Sequence, residues 1–193
     1  MRTARALQQA ALALFAENGY DETTTDEIAE SAGVSPRTFF RYFPTKESVL
    51  FAGSYGWYQT FTERYLAQPT TASDIEAIHH TLVELAPELG KRRQALVLYE
   101  RAVASSATLR GGVQDHVQQD IATLAEAIAL RRELAEPDES CTLLAAIVLV
   151  TYRRAVLRWL AGPANTSPRA VIDEELRLLI SQFSAASSNG RGR

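Results

Sequence analysis

Between Glu30 and Glu47 the sequence carries Arg37, Arg41 and Lys46 and no acidic residue. A guanidinium is a planar fork of donors that fits a phosphate or the edge of a guanine, and an ammonium is a compact partner for a phosphate oxygen. Arg37 and Arg41 lie four residues apart, so on a helix they share a face. Thr38 and Phe40 belong on that outer side with them, while Val34, Phe39 and Phe43 turn inward toward Phe15 and Ile28. The chemistry suggested is recognition of a polyanion rather than bond breaking. Because the whole chain has a formal net charge of −3, such attraction must come from this local patch. Lys46 adds a second clue, since a cation in the first turn of a helix opposes the macrodipole unless an anion sits there. An ordinary solvated lysine explains that residue alone equally well; the whole constellation is harder to dismiss.

Reactive chemistry finds little support. The sequence has no phosphate-cradling glycine loop, no two-histidine metal motif and no nucleophile elbow. Cys141 is the only cysteine, so neither an intramolecular disulfide nor a cysteine-based metal site can be assembled. His79, His80 and His116 are scattered, and no metal or cofactor is expected. The chain is therefore not expected to be an enzyme, although a strongly perturbed acid, base or Cys141 thiol in a cleft would revive an all-helical enzyme.

The elements that must position the basic patch are helical. Leu7, Ala10, Ala11, Leu14 and Phe15 recur at helical spacing and stop at Asn18-Gly19. Thr24 and Glu27 have the spacing of a reciprocal capping box before Ile28, Ala29 and Ala32, and Gly33 ends that helix. Ser35-Pro36 supplies a cap and a first-turn proline for a third helix, which Pro44 ends. Two helices and a glycine turn within about 20 residues have the helix-turn-helix geometry that presents a recognition helix to a major groove. Thr45 can cap a longer fourth helix from Lys46 to about Ala67, with Gly53 and Gly56 in its middle. Further helices are predicted over Ser73–Leu85, Gly90–Ser105, Val113–Leu134, Asp138–Leu160 and Pro168–Ser184, and no strand is expected. The longest strongly apolar stretch, Leu143–Val150, falls short of the roughly 20 residues of a membrane span. No span and no targeting segment are expected, and the single cysteine fits a reducing cytoplasm.

The run Thr23-Thr24-Thr25-Asp26-Glu27-Ile28-Ala29, continued by Gly33-Val34-Ser35-Pro36-Arg37-Thr38-Phe39-Phe40-Arg41-Tyr42-Phe43-Pro44-Thr45-Lys46-Glu47, resembles the TetR/AcrR signature of transcriptional regulators. The resemblance covers roughly residues 5 to 52. It implies an all-α protein with an N-terminal three-helix DNA-binding domain over residues 1–46. A C-terminal helical ligand-binding and dimerisation domain over 47–184 and a flexible tail over 185–193 would follow. It further implies that Pro36, Arg37, Thr38 and Phe40 face bases, that Thr25, Ser35, Tyr42 and Lys46 face phosphates, and that Arg41 does either. Many relatives have Tyr where this chain has Phe40, which leaves stacking or thymine-methyl contact in place of a hydroxyl contact. The implied function is a regulator, a repressor by family analogy, that leaves double-stranded operator DNA when a small molecule binds. An architectural DNA-binding protein without a ligand is the alternative.

In the remainder, Trp57, Tyr58, Phe61, Tyr65 and Tyr99 are candidates for a ligand cavity and Arg101 for an anionic group on the ligand, although core packing explains aromatic residues as well. The run Glu100 to Arg110 resembles regulators that answer to acyl-CoA; a lipophilic compound is the other class considered. Ile147 lies in an all-round apolar stretch that needs cover on several sides. Leu176, Leu179, Ile180 and Phe183 form a stripe near the end that can pair with its copy across a two-fold axis. These residues either form the homodimer interface or complete one subunit's core.

Overall fold

The computed structural model describes residues 2–51 and 54–189, with side chains described for 2–51 and 57–182. Its elements are helices α1 (Arg2–Asn18), α2 (Thr25–Ser31) and α3 (Pro36–Tyr42), a 3-10 helix (Glu47–Phe51), then α4 (Ser54–Leu66), α5 (Asp74–Gly90), α6 (Arg93–Ser105), α7 (Ala107–Arg131), α8 (Glu139–Ala161) and α9 (Pro168–Asn189). No strand occurs among the described residues, and the all-α class holds.

The chain divides into two compact units. The first comprises residues 1–57 and 92–117. Its core joins Leu7, Ala11 and Phe15 of α1 to Ile28 and Ala29 of α2, Phe39 of α3, Val49 and Leu50 of the 3-10 helix, Ala102 and Val103 of α6 and Leu109 of α7. The expected boundary after residue 46 therefore falls inside a unit. Three short helices alone bury too little apolar surface, and α6 with the start of α7 supplies the missing side of the core.

The second unit comprises residues 58–91 and 118–193, in which α5 and α8 both pack on α9. Phe61, Tyr65, Ile78, Leu82, Leu124, Ile128, Val148, Trp159, Ile172 and Leu176 are among its buried residues. Polar fasteners complete it. The Arg131 guanidinium donates to the carbonyls of Tyr65, Gln68, Pro69 and Ala72, closing the α4–α5 loop. Buried Glu175 on α9 accepts from Arg158 of α8 at 2.7 Å and pairs with Arg154 at 3.1 Å.

Several boundaries differ from the sequence expectation. A 3-10 helix stands where the fourth helix was to start, with Thr45 and Ser48 exchanging backbone and hydroxyl hydrogen bonds at its head. Helix α5 continues through Pro87 to Gly90, giving up one backbone hydrogen bond. Helix α7 starts at Ala107, with the Ser106 hydroxyl accepting from the Leu109 amide, and takes Gly111 and Gly112 into its first turns. A Cβ at Gly112 would lie 1.4 Å from Glu47 Oε1, so the bare backbone there admits the Glu47 carboxylate. Helix α8, with 23 residues, is long and apolar enough to cross a membrane by length and composition only, a test that a core helix also passes, and its Cys141, Ala145, Val148, Ala155 and Trp159 are buried in the protomer. Helix α9 runs to Asn189, past residue 185 where a flexible tail was expected; residues 190–193, Gly53, the surroundings of Gly56 and the Phe183 side chain lie outside the described residues.

Candidate nucleic-acid interface

The geometry of the basic patch starts at the head of α2. Thr24 Oγ1 accepts from the Glu27 amide at 3.2 Å, and the Glu27 carboxylate accepts from the Thr24 amide at 2.7 Å and its hydroxyl at 2.9 Å. Those bonds hold the Glu27 carboxyl below the usual glutamate range. After α2 the chain reverses through Gly33, whose φ of +68° is a left-handed conformation that glycine adopts without strain. The Val34 amide returns to the Ala29 carbonyl at 2.9 Å, which fixes where α3 begins.

Ser35 then caps α3, its hydroxyl accepting from the Thr38 amide at 3.3 Å and lying 3.0 Å from the Thr38 hydroxyl. Phe39 is fully buried and docks the helix. The opposite side is open: Pro36, Arg37 and Arg41 are exposed, as are Phe40 at 52% and Tyr42 at 40%. The Arg41 guanidinium lies 5.2 Å from the centroid of the Tyr42 ring. Thr38 is half-buried beside them, and Thr25 is half-buried at the start of α2. Seven of the nine sequence-predicted contact residues thus stand on α3 and its cap.

Residues 7–52 match the profile of the bacterial regulatory proteins of the tetR family. The resemblance to the tetR family is shown for this N-terminal segment. Its helix-turn-helix is 52% identical over 48 residues to the transcriptional regulator TcmR of Streptomyces glaucescens, an alignment covering 25% of this chain and 21% of that protein. Across the first curated relatives the chain spans 21% to 38% of their length. Over nearly its whole length it is similar to the Thermus thermophilus repressor FadR solved with lauroyl-CoA: TM-score 0.60, 26% identity, covering 92% of this chain and 93% of that one. SmeT of Stenotrophomonas maltophilia, solved with triclosan, shares the fold at TM-score 0.59 and 18% identity, over 92% of this chain and 91% of that one.

Lys46, expected to face a phosphate, turns its ammonium in the protomer to the loop between α1 and α2. Its ammonium donates to the carbonyls of Tyr20 at 2.6 Å and Thr23 at 2.8 Å, stands 3.5 Å from that of Asp21, and lies 4.2 Å from the centroid of the Tyr20 ring. Among the described residues a five-residue 3-10 helix follows Lys46 in place of the first turns of the expected α-helix.

The residues proposed for a ligand cavity do not fall in one unit. Trp57, Tyr99 and Arg101 belong to the first, where Tyr99 packs on the core and Arg101 is exposed. Phe61 and Tyr65 are buried in the second, their rings stacked at 5.8 Å. The Tyr65 hydroxyl donates to Asp74 at 2.8 Å, and burial together with that bond pushes its pKa up. Tyr58, a further cavity candidate, has its hydroxyl bonded to Asp120 near Tyr152, and burial is the main cause that raises its pKa. Nothing in the polar run around Asp120 signals that pairing.

The stripe expected at a dimer interface is corrected in part. Leu176 is fully buried within the protomer, so it is core; Ile147, Leu179 and Ile180 are half-buried. Among the described residues of α8 and α9, the large apolar side chains left open are Leu143 at 62%, Val150 at 66% and Leu157 on α8, and Leu178 on α9. The seven-residue spacing of the three on α8 is the signal that would have found them.

Proposed function

We propose that this chain is a ligand-responsive transcriptional regulator that binds operator DNA as a homodimer in the cytoplasm and is released by a small molecule. The observation that carries this reading is α3, docked through Phe39 while Arg37, Phe40, Arg41 and Tyr42 remain open on a helix that has no acidic residue. Such a helix suits a major groove, with Pro36, Arg37, Thr38 and Phe40 toward bases and Thr25, Ser35 and Tyr42 toward phosphates. Repression and release are carried over from the family.

An acyl-CoA or another lipophilic molecule is the proposed inducer class, supported by the likeness to FadR. The path for its effect is α7, which gives Leu109 to the core of the first unit and carries buried Leu124 and Ile128 in the second. A ligand that shifts α7 in one unit moves a core element of the other. Allosteric coupling is typically about 1–3 kcal/mol, a roughly 5- to 150-fold loss of operator affinity at saturation.

The test begins by selecting duplexes from a random pool with the purified protein. A pseudo-palindromic consensus is expected, and recovery of unrelated sequences would sink the reading. The selected operator is then titrated with and without lauroyl-CoA; tight binding of the thioester with unchanged operator affinity would remove that inducer class.

A further inference from the structure

Lys46 follows the last residue of α3 by four positions, yet its ammonium reaches back to the loop between α1 and α2. That loop brings several carbonyls together. Gly19, at φ +88°, turns the chain after α1, and buried Thr23 donates its hydroxyl to the Gly19 carbonyl at 2.7 Å. The carbonyls of Tyr20 and Thr23 then point at one spot, where their dipoles repel unless a cation or water separates them. The Lys46 ammonium occupies it. The Tyr20 ring beneath the charge packs edge-on against Phe15 of the core, with centroids 5.1 Å apart, so the anchor is itself fixed.

We infer, resting on the DNA-binding reading above, that Lys46 serves operator recognition as a positioning residue: it ties the exit of α3 to the entrance of α2 rather than contacting a phosphate. The start of α3 is set by the Val34–Ala29 backbone bond and its middle by Phe39. Phe43 packs the exit of α3 into the same core, and the Lys46 ammonium adds a polar tie to the entrance of α2; without that tie the helix has more freedom to rock about Phe39 and Phe43, which moves the side chains that must meet base edges. An ammonium has three donors, and the loop engages them; a phosphate contact would require the ammonium to abandon the loop.

The experiment compares wild type with Lys46→Met, Lys46→Gln and Lys46→Arg, each on the selected operator and on a scrambled duplex, across a salt series and well below the melting temperature. Methionine keeps the stem without the charge, glutamine retains a shorter donor, and arginine retains charge and donors. Lys46→Met is expected to lose about 5- to 30-fold in operator affinity, with scrambled-duplex affinity and salt slope unchanged, so the specificity ratio falls by the same factor. Lys46→Gln should fall between, and Lys46→Arg should retain most of the ratio. Equal losses on both duplexes with the salt slope reduced by about 0.9 would make Lys46 a phosphate ligand and overturn the inference. A lowered melting temperature with operator affinity intact would overturn it too, leaving only a stabilising role. If Lys46→Met does not fold, Lys46→Gln against Lys46→Arg makes the same discrimination. Failure of the wild type to select any sequence would instead remove the DNA-binding reading, whatever the variants do.

Discussion

Arg37 and Arg41 on α3, and Leu143 and Val150 on α8, are all exposed in the protomer, but water treats them differently. The guanidinium groups stay hydrated at no cost until a polyanion replaces that water, so the α3 face is stable alone and available for exchange. The α8 face, with Leu157 and with Leu178 on α9, leaves apolar area in water, which favours a permanent cover at about 25 cal/mol per Å². A reversible partner and a lasting one call for opposite surfaces. The described surface carries both kinds.

The largest expected effect comes from putting charge on the apolar face. Leu143→Glu combined with Val150→Glu should leave the protomer folded, because both side chains are exposed. An unpaired charge buried in an interface costs on the order of 3–5 kcal/mol, enough to split the proposed dimer and with it the two-site grip on an operator. Light scattering decides: an unchanged dimer mass would show that this face is not the interface. Leu176→Ala sharpens the contrast from inside the same helix pair. Leu176 is fully buried, and its truncation should destabilise the fold by about 2–5 kcal/mol in denaturant unfolding, with the assembly preserved while the protein remains folded.

On the other face, Arg37→Ala should cost about 1–3 kcal/mol on the operator and relax the preference at one base position, if Arg37 meets a guanine edge. The check is binding to operators altered one base pair at a time. A uniform loss on every duplex would turn Arg37 into a backbone contact and erase its difference from the rest of the patch.

The two faces were unequally legible in the sequence. On α3 the partners of each residue lie within a few positions: Ser35 caps Thr38, Gly33 makes the turn, and the spacing of Val34, Phe39 and Phe43 sets the inward side. The contacts of Lys46 were not legible, because Tyr20 and Thr23 are 26 and 23 positions away and only the closed loop brings their carbonyls to it. The apolar face failed for a related reason. Periodicity shows that Leu176 and Leu178 both belong to an apolar helix, but which of them is covered depends on where α5 and α8 lie against α9. In the same way Gly111 and Gly112 read as a break in the sequence, whereas the approach of Glu47 makes them part of α7.

The smallest expected effect compares the two units through matched glutamates at helix heads. Glu27 accepts from the amide and hydroxyl of Thr24 in the first unit, and Glu76 accepts from those of Ser73 in the second, at 2.9 and 2.6 Å. Both carboxyls are held below the usual glutamate range by these bonds. A folded-state value below the unfolded one means that the unfolded chain takes up the proton first, so each glutamate contributes stability above the ordinary glutamate range and loses it as pH falls through and below that range. Glutamine at the same position keeps an accepting oxygen without a titrating charge. Glu27→Gln and Glu76→Gln should each flatten the acid limb of the melting-temperature profile slightly, and the double variant should flatten it by the sum, since the two sites share no partners. They should differ in one respect: Glu27 heads the helix against which α3 docks, so acidification should loosen operator binding in wild type and less in Glu27→Gln, while Glu76→Gln should follow wild type. Identical acid profiles of operator affinity in all three proteins would mean that the cap of α2 has no part in presenting α3.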